Sequence, residues 1–293
     1  MLWALVVAAA LAADLHAGAR ADVRGATAAR DAARARWAAR GGLAHAQEAL
    51  RARLNASSAA GLPPATDTLV VRPETLDYDG VRVRVSVVDA RARVQLNLAP
   101  AEELRALAAA AGLSGDAADA FARSVAEWRG RNGPRMPPAP SGTGAVAARP
   151  PTGAFREVEE LRGVPGVTLE AYRAVRPWLS VAGDGRINLN SAPVPVLRTL
   201  PGFGDQVARA VVERRRMSPF LSPYEVVAAL PAARRLAVQD RLGELMARVA
   251  FTPLHAEVRV EARGAGAAAR ARIRAVAVLA GGRLAPLARI EER

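Results

Sequence analysis

MLWALVVAAALAA opens the chain with thirteen apolar residues, and the first charge is Asp14. No proline follows until Pro63, and residues 15 to 55 are dominated by Ala and Arg, with Leu. These form helix well or tolerably. Val23, Ala26, Ala33, Trp37, Leu43 and Leu50 make a loose apolar stripe, with Arg and Asp elsewhere. The pattern predicts one stem helix within 1–60, with Gly41-Gly42 as a possible bend. A helix of about 50 residues is about 75 Å long. That exceeds what a globular domain needs, so its first part is expected in apolar surroundings. A buried N-terminal helix is the plainer alternative.

The period then falls to two. Val81, Val83, Val85 and Val87 alternate with Arg82, Arg84 and Ser86, which predicts a half-buried strand. Val258 and Val260 alternate with Glu257, Arg259 and Glu261, and Ile273 to Leu279 is a further apolar run ending at Gly281-Gly282. A last strand over 284–290 carries Pro286, which suits an edge. Gly61 to Thr66, and Asp77 to Gly80 around Tyr78, read as turns. The region between is helical in pattern. The predicted fold class is α+β: a long N-terminal helix on an antiparallel sheet (61–95 and 251–293), with an all-α domain (96–250) inserted between strands. Residues 130–154 form a linker in which 11 of 25 residues are Pro or Gly and none is acidic.

The insert carries a repeat. VQLNLAPAEELRAL (94–107) matches INLNSAPVPVLRTL (187–200) at a constant offset, with Leu96, Asn97, Ala99, Pro100, Leu104, Arg105 and Leu107 identical to their partners. Asn97, and Asn190 with Ser191, are expected to cap the helix that follows. Pro100 and Pro193 fall in the first turn, where no N–H is needed. Two glycine hairpins, VPGV at 164–167 and LPGFG at 200–204, each precede a helix. Gly202 and Gly204 are expected to turn the chain. The second hairpin, with Arg209 and Arg214 to Arg216, reads equally as a phosphate grip or as a tight turn between helices. Phe220 and Tyr224 are expected as core anchors.

Composition narrows the chemistry. The net charge is +13, and all 41 basic residues are Arg. That is the usage of a GC-rich genome, while the basic surface favours anionic neighbours. There is no Cys and there are only three dispersed His, so disulfides, thiolate chemistry and a His-based zinc site are excluded or unsupported. No Walker loop or G-x-S-x-G occurs. The pairs Glu102-Glu103 and Glu159-Glu160 read as solvated helix faces. No catalytic residue and no metal ligand is expected, and the chain is not expected to be an enzyme.

These pieces resemble the minor pseudopilin K (GspK) family of type II secretion systems. The N-terminal LWALVVAAALAA and RDAARARWAARGGLAHAQEAL are similar to a pseudopilin stem. FREVEELRGVPGVTLEAYRAVRPWL followed by INLNSAPVPVLRTL is the most specific part. The resemblance implies a pilin-like α/β fold with an insert of helix-hairpin-helix or SAM-like halves. It implies an inner-membrane subunit facing the periplasm, which caps a pseudopilus tip with other minor pseudopilins through its stem. The chain is expected to lack the basic leader and processing site of a prepilin, with Met1 inside the stem. Family members with acidic residues after the first helical half hold calcium there. Here only Glu127 remains, so no calcium is expected, and neither is nucleic acid. The alternative is a membrane-tethered helix-hairpin-helix DNA-binding protein of the competence type, which also carries an INLN-type joint and an LPG-type hairpin.

Overall fold

A computed structural model describes residues 2–59, 71–132, 153–230, 232–266, 269–280, 283–284 and 289–292. The expected turn at Gly61 to Thr66, most of the 130–154 linker, Gly281-Gly282 and Pro286 lie outside the described residues.

Helix α1 (Leu2–Ala59) is a single element. It meets a sheet built from β1 (Val71–Tyr78), β2 (Val81–Asp89), β7 (His255–Arg263), β8 (Arg270–Ala280) and β10 (Arg289–Glu292), in that order and antiparallel throughout, with β9 (Arg283–Leu284) also paired to β8. The alternation predicted for β2 and β7 is the one observed. Val81, Val83, Val85 and Val87, with Ala256, Val258, Val260, Ala262, Ile273 and Ala275, face the stem and bury against it. The stem answers with Ala35, Ala38, Ala39, Leu43, Ala46, Leu50 and Leu54, which lie along one helix face. The Asp79-Gly80 turn has both residues at positive φ and joins β1 to β2 as a two-residue hairpin.

Gly41-Gly42, read as a possible bend, lies at a close contact with the sheet. A Cβ on Gly42 would stand 2.7 Å from Val83 Cγ1, 2.9 Å from Val260 Cγ1 and 3.2 Å from Val85 Cγ2. Valine has only χ1 to adjust, so the sheet cannot yield easily. Gly42→Ala is expected to destabilise by about 1–3 kcal/mol through overpacking, despite the better helix propensity of Ala. Gly25, with nothing within 4 Å, is the control. Gly25→Ala is expected to stabilise by about 0.5–1 kcal/mol. Thermal unfolding of the two variants checks the difference in sign.

Between β2 and β7 lies the insert. Its first half holds β3 (Val94–Gln95), α2 (Ala101–Ala110), α3 (Gly115–Asn132), a 3-10 turn (Val158–Gly163), α4 (Leu169–Val175) and β4 (Leu179–Ser180). Its second half holds β5 (Ile187–Asn188), α5 (Val194–Leu197), α6 (Asp205–Met217), α7 (Pro223–Ala229), α8 (Ala232–Gln239), α9 (Leu242–Arg248) and β6 (Val249–Ala250). The block is therefore not purely helical: β3 pairs β4 in parallel, and β5 pairs β6 in parallel. Each half is closed by pairing its first strand with its last. The two halves share one core, in which Leu104, Leu107, Phe121, Leu161, Leu189, Leu197 and Phe220 are fully buried.

Candidate functional site

The repeated joints are where the sequence reading and the structure part most instructively. Neither asparagine caps the next helix: the N-cap positions are Pro100 and Pro193, without a side-chain bond. The turn at each joint is held instead by the residue two before the asparagine. Gln95 Oε1 accepts from Asn97 N and Leu98 N, and Asn188 Oδ1 accepts from Asn190 N. This frees each asparagine to act as a two-way backbone mimic. Asn97 donates to Phe155 O and accepts from Phe155 N, at 2.9 and 2.7 Å. Asn190 donates to Phe220 O and accepts from Phe220 N, at 2.9 and 2.8 Å, and donates also to Phe251 O. One arginine then clamps each joint. Arg129 Nη1 donates to Leu96 O and Ala99 O, and Arg215 Nη1 to Leu189 O and Ala192 O. Burial pushes both guanidinium groups below their ordinary pKa. Ser191 donates to Asp89 Oδ2 at the end of β2, so it ties the second joint to the sheet.

The second hairpin turns on Gly202, at φ 77°, after Pro201, with Phe203 N donating to Leu200 O. Gly204 is extended, and a Cβ there meets nothing within 4 Å, so it does not turn the chain. Asp205 stands in the first turn of α6. It pairs with Arg209 at 2.7 Å and lies 3.8 Å from Arg198. Arg215 is spent in its clamp, and Arg214 lies over the Phe220 ring. Phe220 is a core anchor as expected, whereas Tyr224 is 75% exposed.

The acidic pairs are also not simple solvated faces. Glu103 is buried, and burial raises its pKa against the pull of Arg248, its ion-pair partner. Glu159 bridges Arg176 and Arg274. Burial opposes its charge, but the two arginines hold its pKa below the ordinary value. The larger network is at the root of the insert. Glu257 on β7 is buried between Arg93, Arg259 and the hydroxyl of Ser180. Burial pushes its carboxyl up, but these partners together hold it below its ordinary value, while burial and Arg259 push Arg93 down to about 10. Arg91 adds a two-point pair with Asp184, with contacts of 3.0 and 2.6 Å.

The stem stripe does not lie on one face. Leu43 and Leu50 belong to the intramolecular core, so they are not available to a partner. Ala33 is half-buried; Val23, Ala26 and Trp37 are exposed. Trp37 carries the Arg40 guanidinium 5.3 Å from its ring centre. From Leu11 to Thr27 every residue of α1 is exposed. No helix among the described residues is long and apolar enough to cross a membrane. Among the described residues no three His, Asp or Glu side chains are grouped as metal ligands. Near the end of α3, Glu127 is the only carboxylate between Asp119 and Glu157. Calcium takes six to eight oxygens, and this stretch supplies one carboxylate.

The chain thus lays a stem helix along an antiparallel sheet and grows a second domain from one sheet connection. Residues 84–184 match the family model for the first domain of protein K of the type II secretion system. The fold is similar to a chain of the GspK-GspI-GspJ complex of the enterotoxigenic Escherichia coli Type 2 Secretion System. The TM-score is 0.58 at 14% identity, covering 88% of this chain and 95% of that one. Among curated proteins no sequence match was found. The resemblance to the type II secretion minor pseudopilins of the K family, read from the sequence, thus holds in the family model and in the fold.

Proposed function

We propose that this chain sits at the tip of a type II secretion pseudopilus, where it initiates and caps assembly for export of folded proteins across the outer membrane. It acts by binding partners and not by turnover, and it uses no cofactor. Its stem holds it in the inner membrane as a single-pass protein, with the remainder in the periplasm, and receives the stems of other minor pseudopilins. The observation that carries this reading is the division of α1: its sheet-facing side from Ala35 to Leu54 is spent on the chain's own core, while Leu11 to Thr27 are bare on every side. An isolated helix exposing so much surface is expected to be bundled. The insert leaves β2 at the end opposite the Asp79-Gly80 turn, and its bulk there suits a cap above which nothing stacks. The carboxylate of Asp205 at the start of α6, paired with Arg209, supports the view that the hairpin is not a nucleic-acid grip.

The test is co-purification of the chain, stem intact, with the other minor pseudopilins of its system. A stable complex is expected. Trp37, an exposed aromatic with a stacked arginine, has the character of an interface anchor, and Trp37→Ala is expected to weaken the complex at least about tenfold. No complex with the intact stem would sink the reading. Salt-dependent DNA binding abolished in a Gly204→Ala/Arg209→Ala variant would revive the competence-type alternative.

A further inference from the structure

The face of the sheet turned away from the stem is built of arginine. In register across β2, β7 and β8 stand Arg82, Arg263 and Arg270, directly opposite one another. The next outward-facing row is Arg84, Glu261 and Arg272. Strands are about 4.8 Å apart, so each row packs three side chains into about 10 Å. Like charges directly opposite destabilise a sheet. Few carboxylates relieve these. Glu261 serves both Arg263, at 3.3 Å, and Arg272, at 3.9 Å. Asp77 faces Arg82 in register but accepts from Gly80 N in its own turn. Among the described residues no carboxylate pairs with Arg82, Arg84 or Arg270. All five arginines are exposed. Farther along the same face, Arg259 and Arg274 are paired to Glu257 and Glu159 and lie beside the insert. Arg82, Arg84 and Arg270, without a carboxylate partner among the described residues, therefore lie together at one end of the sheet.

That end is defined by its contacts with α1. Arg34 approaches Asp79, a Cβ on Gly266 would meet Asp31, and Gly41 lies against the Tyr78 ring. The arginine rows thus sit level with residues 31–41 of the stem, on the side from which the apolar start runs out. Eighteen helical residues separate Ala13 from Asp31, about 27 Å. A lipid surface meeting the stem at the end of its apolar run would lie more than three screening lengths away, since the Debye length is about 8 Å at physiological salt. A subunit of the same stem-and-sheet design, bundled against the free stem and displaced toward its start, would instead bring its head up under these arginines.

We infer that this arginine-rich end of the sheet is the seat for an acidic surface on the head of the neighbouring minor pseudopilin. The inference rests on the tip reading and adds the chemistry of the contact: carboxylates on the partner, received by Arg82, Arg84, Arg263, Arg270 and Arg272. Planar guanidinium groups in two rows can take carboxylates two-pronged, which sets register as well as attraction and gives salt-sensitive association.

The experiment measures binding of the full chain to the other minor pseudopilins, with Arg82→Gln/Arg270→Gln and Arg82→Glu/Arg270→Glu variants beside wild type. Folding is monitored by thermal unfolding, because both variants relieve the like-charge row and are expected to melt no lower than wild type. The expected result is a loss of at least tenfold in affinity for the Glu variant, a smaller loss for the Gln variant, and wild-type binding that weakens as salt is raised. Binding that ignores both variants and salt overturns the inference and leaves the tip reading standing. Wild-type chain that binds no pseudopilin overturns both. Vesicles of acidic phospholipid, or duplex DNA, bound through the same two arginines while pseudopilin binding is unchanged would also overturn it.

Discussion

Glu257→Ala is expected to lower stability by about 3–5 kcal/mol, because it removes one side of a buried ion network and strands the other. Arg93 would keep a guanidinium in a site where burial and Arg259 already disfavour its charge. The hydroxyl of Ser180 would lose this acceptor but has another in Ala182 O at 3.1 Å, and it still accepts from Ala182 N at 2.9 Å. Urea unfolding at neutral pH measures the loss, and Glu257→Gln tests its origin. The amide keeps the volume but not the charge, so most of the loss should remain. The pH dependence has a definite sign. The carboxyl is held below its ordinary value in the fold. Its stabilising share is therefore complete above the unfolded value near 4.5 and drains away as pH falls through the folded value. Asp89 and Glu103 act in the opposite direction, since burial raises them. For this reason the test is the difference between wild type and Glu257→Gln: it should be largest above pH 5 and shrink in acid. A difference flat across that range would mean that Glu257 acts through shape and not through charge.

The location of this network explains its strength. Arg93 and Ser180 come from the insert's first half and Glu257 from β7. Asp89 meets Asn188 and Ser191 of the second half. Both halves are thus bonded to the strand ends between which they are inserted. A rigid root matters if the insert is to act as a cap, because a load on it would otherwise turn about two chain connections.

Much of the architecture could be read from periodicity alone. The alternating valines of β2 and the pattern of β7 mark the face that meets the stem, and the repeat at 94–107 and 187–200 locates both joints. Failures came where a residue's partner is remote. Asn97 and Asn190 have the right type and place for a cap, but their partners, Phe155 and Phe220, lie 58 and 30 residues away, and no local pattern reveals them. The same holds for Glu103, drawn inward by Arg248, and for Leu43 and Leu50, whose burial depends on which side of a long, Ala-rich helix the sheet occupies. One missed signal was present. VAEWR at 125–129 and VVERR at 211–215 place a Glu-x-Arg at the same point of each half. Comparing the halves beyond the INLN segment would have found both clamping arginines.

Those arginines carry the last and equally large expectation. Arg215→Met is expected to destabilise by about 2–5 kcal/mol. It leaves two buried carbonyls, Leu189 O and Ala192 O, without their donor, at about 1–3 kcal/mol each, while methionine preserves most of the apolar volume. Arg215→Lys tests geometry against charge. A lysine retains the positive charge and has protons enough for two acceptors, but its stem is one atom shorter and its ammonium is more strongly hydrated, so it meets less well the two carbonyls that Nη1 reaches at 2.7 Å. It should recover only part of the loss. Because Asn190 stitches the same loop to Phe220 and Phe251, Arg215→Met and Asn190→Ala act on one structure and should not add. Once the loop has been released by the first change, the second finds less to break, and the double variant should fall short of the sum by about 0.5–3 kcal/mol. The pair Arg215→Met and Asn97→Ala spans two joints with separate partners, and there the losses should sum. Additive losses within the second joint would show that its clamp and its stitch are independent contacts and not one fastening.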